Sequence, residues 1–436
     1  MDTRVESALQ DVARREPDLA DAVRAAWEDL TQGTGDAREV SQWWLQMYLW
    51  DILARRSDGS PQWTVRLARG LGDVLAAAGL GRYAELARSE TTREVLLAVD
   101  DLEDWANRYA AALRASGIQP PDTDLITWGP VMGPAEADTY ERVANALELS
   151  MVSGAHTAAG RGSRAVRTGL TDAVLTAPFR EAAGLRPLHG IASERLAAWT
   201  ARSPVLAELA EPLREVLTPG VPDRLTGRPG DMPLLEALLA VLAEPVRLSA
   251  RGYLPRDVVR AWAVTAGVDH HPSATSPEHQ NPYLTRLRRV AQRIGLVRVH
   301  RGALALTVAG RAAASDPDRL AAAVADRWFG TPRDAEVVAR EVLTLALAAD
   351  GEAVVADLVR TVQQVYADEG WRTVAGPPDL GLCRHVLHES IESGRVLRLV
   401  RTEPQDRVSA TPVGTAVLRA ALRHHLLHDG LSPAPA

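Results

Sequence analysis

The residues best placed to do chemistry lie between Tyr283 and Arg301. Leu284, Leu287, Ala291 and Ile294 recur at helical spacing and define one apolar stripe. Arg286, Arg288, Arg289, Gln292 and Arg293 fall largely outside that stripe, and Arg298 and Arg301 follow after Gly295. Guanidinium forks on one helix face suit guanine edges and phosphates, and a glutamine amide suits adenine. Residues 232–315 carry 11 Arg against 5 Asp and Glu, although the whole chain has a formal net charge of −7. Residues 332–430 invert the balance, with 11 Arg against 14 acids. The charge is segregated, so an acidic total conceals a local basic field. The competing reading is a solvated helix face, which a chain with 49 Arg and no Lys produces freely.

Other groupings point to plainer roles. Asp269, His270, His271, Glu278 and His279 crowd the loop DHHPSATSPEH and could each ligate zinc, but their spacing matches no metal motif and no metal is expected. His424 and His428 stand at i, i+4 near the end of the last helix, where cationic side chains favour the helix dipole. His385 and His388 lie one turn apart with no third ligand. GRGSR at 160–164 lacks the lysine and spacing of a P-loop, and Ser163, Thr168 and Thr171 have no identifiable base. Asp100-Asp101 with Glu103-Asp104 reads as a helix start rather than a two-carboxylate catalyst. Glu194-Arg195 beside Trp199 reads as a salt bridge over a packed aromatic. Cys383, in LGLCRHVL, keeps the apolar spacing and reads as core. No catalytic residue and no cofactor are expected, and an unrecognised enzyme is the third reading.

These residues must be positioned by helices. WWLQMYLW at 43–50 places Trp43, Met47 and Trp50 on one helical face and Trp44 and Tyr48 on the next. Only Gln46 interrupts the apolar run and no basic residue interleaves, so this is a buried helix and not a stacking platform. Helical periodicity covers 5–31, 38–56, 61–88, 90–116 and 134–154, and Ser89 ahead of Thr91, Thr92 and Glu94 reads as a helix start. Pro120, Pro121, Pro130 and Pro134 make 117–134 a rigid connector, docked through Ile126, Trp128 and Met132. An irregular stretch follows at 155–190, then a helix pair over 191–216. TPGVPDRLTGRPGDMP at 218–233 marks a domain break. A single cysteine excludes intramolecular disulfides, no apolar run approaches the ~20 residues of a membrane span, and the charged N-terminus lacks a signal core. A cytoplasmic protein follows. The absence of lysine, with abundant Ala, Leu and Val, suggests a GC-rich, actinobacterial genome.

Beyond the break the pattern repeats. PLLEALLAVL, LPRDVVRAWAVTAG and NPYLTRLRRVAQRIG read as three helices, and LVRVHRGALALTVAGRAAAS as two short strands around a turn, then a helix. DAEVVAREVLTLALAADG, AVVADLVRTVQQVYADEG and LGLCRHVLHESIESG repeat the helices, and RVLRLVRTEPQDRVSATPVGTAVLRAAL repeats the hairpin. Gly302 supplies the left-handed residue of the first hairpin turn. Three helices followed by a hairpin is the winged-helix order. The expected fold is mostly α: a helical domain over 1–154, a helical transitional region over 155–217, a basic winged helix over 232–330 and an acidic one over 332–430.

LSARGYLPRDVVRAW, with YLTRLRRVAQRIGLVRVHRGALALTVAGRAAASDPDRL, is similar to the C-terminal segment of the root-inducing-plasmid open-reading-frame-3-like family. Leu248, Ala250, Gly252, Tyr253, Leu254 and Pro255 carry the match, then Arg288, Ala291, Gly295 and Leu296, then Leu306, Thr307, Gly310, Arg311, Asp316 and Pro317. GLGRYAELARSETTREVL and SGIQPPDTDLITWGPVMG resemble actinobacterial proteins with the same tail. The resemblance implies kinship and a mobile-element or genome-associated context, with no reaction to carry over. The favoured expectation is a DNA-associated regulatory or mobile-element-linked protein that reads duplex DNA through 283–301 and uses its helical part to dimerise or bind a protein partner. The alternative is a protein-interaction scaffold or dimerisation module with no nucleic-acid contact. The acidic third helix of the second copy, with Arg384, His385, His388, Glu389 and Glu392, suits protein contact better than phosphate.

Overall fold

The computed structural model describes residues 2–56, 60–156, 163–178, 185–218, 225–268, 276–330, 335–374 and 376–428. The chain is mostly helical and divides into two units, 1–123 with 134–177 and 124–133 with 178–436. The sequence reading places its breaks at 154 and between 217 and 232, whereas the division falls at 177. Among the described residues no helix is long and apolar enough to cross a membrane.

The first unit holds α1 (Thr3–Arg15), α2 (Ala20–Leu30), α3 (Gln42–Met47), a π-turn (Tyr48–Ile52), α4 (Leu53–Arg56), α5 (Pro61–Ala77), α6 (Gly81–Arg88), α7 (Glu90–Leu97), α8 (Leu102–Ser116), α9 (Pro134–Val152) and α10 (Ser163–Thr176). Ser41, Ser60, Ser89 and Asp101 cap their helices by accepting from the N–H of Trp44, Trp63, Thr92 and Glu103. The aromatic stretch is core, as its periodicity predicts. Trp50 is 1% exposed, its indole N–H donates to Thr92 Oγ1 at 3.0 Å, and Trp105 donates to the Trp50 carbonyl at 3.0 Å. Trp43 packs its ring 4.8 Å from Tyr140. The sequence gives no sign of the π-turn, which widens the helix by one residue at Trp50.

The second unit contains α11 (Pro187–Thr200), α12 (Pro204–Ala210), α13 (Arg214–Leu217), α14 (Pro233–Val241), β1 (Val246–Arg247), α15 (Arg256–Thr265), α16 (Pro282–Arg293), β2 (Val297–His300), β3 (Ala303–Leu306), α17 (Val308–Ala314) and α18 (Pro317–Arg327). It continues with α19 (Ala335–Asp350), β4 (Glu352–Val354), α20 (Val355–Asp368), α21 (Leu380–Val396), β5 (Val400–Glu403), β6 (Arg407–Ala410) and α22 (Pro412–His428). The order helix, strand, helix, helix, strand, strand, helix occurs twice. Each hairpin gains a third strand that the sequence reading did not include, giving antiparallel sheets ordered β1-β3-β2 and β4-β6-β5.

The two copies are closed by the same device. Thr307 accepts from Gly310 N–H at 2.9 Å and donates its hydroxyl to the Gly295 carbonyl at 2.7 Å. Thr411 accepts from Gly414 N–H at 2.9 Å and donates to the Arg398 carbonyl at 2.7 Å. The threonine caps a helix and ties it to the turn before the hairpin. Glycine is required three residues later because a Cβ at Gly310 or Gly414 would lie 1.9 Å from the Leu296 or Leu399 carbonyl oxygen. LTVAG and ATPVG, the clearest repeat in the sequence, are this contact.

The connector 124–133 belongs to the second unit. Ile126 is fully buried and Thr127 N–H donates to the Leu427 carbonyl at 3.0 Å. Arg195 of α11 is buried and reaches beyond its own helix. Its guanidinium donates to the Leu427 and Thr127 carbonyls, each at 2.8 Å, and so caps the end of α22. Nearby, buried Glu341 of α19 accepts from Trp199 at 3.0 Å, lies 2.9 Å from His425 Nε2 and pairs with Arg202 at 2.8 Å. Burial pushes its carboxyl up, but the His425 hydrogen bond and the Arg202 charge outweigh this and hold it below its ordinary value.

Candidate nucleic-acid interface

Asn281 starts α16 by accepting from Leu284 N–H at 3.0 Å, and Pro282 takes the first turn, where its missing donor costs nothing. Leu284, Leu287, Ala291 and Ile294 are buried as their spacing predicts. The polar residues do not all project outward together. Arg286 sits between two acids of α21, 2.7 Å from Glu389 and 3.2 Å from Glu392. Arg395 of the same helix pairs with Glu392 at 2.5 Å and also bonds Tyr283. Arg288 turns inward to Glu278, with Nε and one terminal nitrogen each 3.0 Å from the carboxylate, and donates to the Gly252 carbonyl at 2.9 Å. Glu278 is fully buried and also accepts from Leu254 N–H at 2.6 Å. Arg293 lies 3.8 Å from Glu336 in the first turn of α19. Arg289 remains exposed and Gln292 is half-buried. The expectation of one outward arginine face is therefore corrected: α16 packs against α21, and a guanidinium near a carboxylate in a partly dry contact pairs with it.

The hairpin keeps its charge outside. Arg298 and Arg301 are exposed, and among the described residues no carboxylate pairs with either. The turn joining β2 to β3 is Arg301-Gly302, with φ of +50° and +74°. Both residues are left-handed, as a two-residue type I′ turn requires, so Arg301 shares the role assigned to Gly302 alone. The register pairs Arg298 with Ala305, and Ala303 with both His300 and Arg247. Paired residues share a face, so Arg247, Arg298 and His300 stand on the side of the sheet opposite buried Leu304 and Leu306.

Asp269, His270, His271 and Gly160–Gly162 lie outside the described residues, as do 219–224 of the expected domain break. Glu278 is the partner of Arg288, and the His279 ring lies 5.3 Å from Tyr253. Among the described residues no group of three or more His, Cys, Asp or Glu could hold a metal ion. His424 lies 3.3 Å from Asp326 and stacks on His428 at 4.3 Å, while His428 contacts Thr127 Oγ1 at 3.2 Å. His385 and His388 are exposed, and Cys383 is core. Asp101 accepts from two backbone N–H groups as a cap. In the first unit a cleft of 310 Å³ is lined by Arg15, Arg69, Arg88 and Asp73, with Asp73 pairing both Arg15 and Arg88.

Four decisive residues were not identified as partners from sequence. Glu278, Glu389 and Glu392 take up arginines from elsewhere in the chain, and Arg247 reaches the interface through a two-residue strand. A signal existed for one pair: Glu389 and Glu392 stand at i, i+3, one face of a helix already read as acidic. The chain matches no family model, no curated protein and no solved structure.

Proposed function

We propose that residues 233–428 form two tandem winged helices coupled third helix to third helix, and that the pair works as an interaction scaffold whose outer surfaces meet partners. The observation that carries this reading is Arg286 held between Glu389 and Glu392. A helix that enters a major groove needs its polar face clear of protein. Here that face meets an acidic helix of the same chain, and Arg288 is committed to Glu278. The resemblance in the C-terminal segment supports kinship of fold: Gly295, Leu296, Thr307 and Gly310, which carry part of it, are the residues that close the first copy.

The second reading is a DNA-associated regulatory or mobile-element-linked protein that reads bases. It retains exposed Arg289, Arg298 and Arg301, with Gln292 half-buried beside them. Selection of bound sequences from a random duplex pool separates the two. The scaffold reading expects the recovered pool to stay random. An enriched sequence whose recovery is lost in Arg289→Ala/Gln292→Ala would establish the second reading instead.

A further inference from the structure

The outer face of the β1-β3-β2 sheet carries a concentration of unspent charge. Arg247 and His300 flank Ala303, and Arg298 stands beside Ala305. Arg301 projects from the turn, which is fixed next to β1 by Leu248 N–H donating to the Gly302 carbonyl at 2.9 Å. All four side chains are exposed, and among the described residues no carboxylate pairs with the three arginines. The middle strand contributes only alanine to this face, so nothing tall separates the cations.

The second copy shows what the same surface looks like when neutralised. Its register places Arg401 beside Ser409 and Glu352, and Arg407 beside Glu403 and Val354. Arg407 pairs with Glu352, and Ser409 donates to Glu403 at 3.1 Å. Glu352 takes up Arg407, and Glu403 adds a second negative charge to the same face, so the difference between the copies lies in the outer face as well as in the totals.

We infer that the outer face of the first sheet binds the phosphate backbone of duplex nucleic acid without reading its sequence. Guanidinium groups hold phosphate oxygens in bidentate fashion, and a rigid strand array presents them without a backbone ordering cost. A duplex carries one charge per ~1.7 Å of axis, a polyanion dense enough to engage several of these groups at once. The face carries no Phe, Tyr or Trp, and His300 is its one ring, so there is no run of aromatics for successive single-stranded bases to stack on, and duplex is favoured over single strand. No carboxylate is present to select one acidic protein sequence over another. The inference rests on the scaffold reading only in assigning contact to the sheet and not to α16.

The test is fluorescence anisotropy of a labelled 20-base-pair duplex of arbitrary sequence, titrated with the full chain over a salt series. Three phosphate contacts give a slope of about −2.7 in log affinity against log salt, roughly 40-fold between 50 and 200 mM. Arg247→Ala/Arg298→Ala/Arg301→Ala should remove most of that slope and weaken binding at least about tenfold at low salt. Arg401→Ala/Arg407→Ala, on the neutralised face, should leave it unchanged, and unaltered thermal unfolding of both variants excludes misfolding. Absence of duplex binding at low salt overturns the inference and leaves the scaffold reading standing. Retained binding in the triple variant, with loss in Arg289→Ala/Gln292→Ala, overturns both. Tighter binding of labelled polyglutamate than of duplex assigns the face to acidic protein and overturns the nucleic-acid partner.

Discussion

Gly414→Ala should destabilise the second unit even though alanine is the better helix former. In an open helix interior the exchange gains about 0.8–1 kcal/mol. At position 414 the new methyl would lie 1.9 Å from the Leu399 carbonyl oxygen, where ordinary contact begins near 3.4 Å. Backbone must move on the order of 1.5 Å, and overpacking of that kind costs about 1–3 kcal/mol. The movement also strains the Thr411 cap, worth about 1 kcal/mol more. The net expectation is a loss of about 1–3 kcal/mol, or roughly 2–12 °C for a body of this size. Gly310→Ala should lose a similar amount, because its methyl would meet the Leu296 carbonyl at the same 1.9 Å. Gly169→Ala is the control: it lies inside α10 with nothing within 4 Å of the added methyl, and should hold or gain up to about 1 kcal/mol. Urea and thermal unfolding of the three variants measure this directly. If Gly414→Ala and Gly310→Ala are as stable as the parent chain, the shared closure of the two copies is wrongly described.

Three further outcomes follow from named contacts. Arg288→Ala strands fully buried Glu278 and should cost about 3–5 kcal/mol in equilibrium unfolding; a cost near that of an exposed pair, below about 1 kcal/mol, would refute the buried clamp. Trp50→Ala removes a buried indole and its bond to Thr92, for an expected loss of about 3–5 kcal/mol by urea unfolding; a near-neutral effect would contradict the core reading of the aromatic stretch. Glu341 has a folded pKa below its ordinary 4.5, so its stabilisation is present above that pH and is lost as pH falls through the folded value. The stability gap between the parent chain and Glu341→Gln should therefore narrow on acidification below pH 4.5, and a gap that stays constant there would contradict the assignment.

Most helix positions were legible because their causes are local; the exception is α10 (Ser163–Thr176), which lies inside the stretch 155–190 read as irregular. The 3.6-residue apolar period gave the helical segments, and where the structure breaks them the reason is also local. Pro17 ends the run after α1, Gly79 at φ +83° ends α5, and Asp101 restarts the chain as a cap. The repeat was visible because LTVAG and ATPVG must satisfy the same backbone contact. What the sequence could not convey was pairing between distant residues. Arg286 and Glu389 are 103 positions apart, Arg288 and Glu278 are joined by a bend, and the third strand of each sheet is two or three residues long. An arginine reads the same in a sequence whether it faces water or a carboxylate. The side of the helix predicted for α16 was right, but what lies opposite it depends on tertiary packing.

The coupling of the two third helices is tested most directly by a double-mutant cycle between Arg286→Ala and Glu389→Gln/Glu392→Gln, read by urea unfolding of the full chain. With Arg286 2.7 Å and 3.2 Å from two partly shielded carboxylates, an interaction energy of about 1–2 kcal/mol is expected. Strictly additive losses would show that α16 and α21 do not meet there, and the helix would again be free to enter a groove.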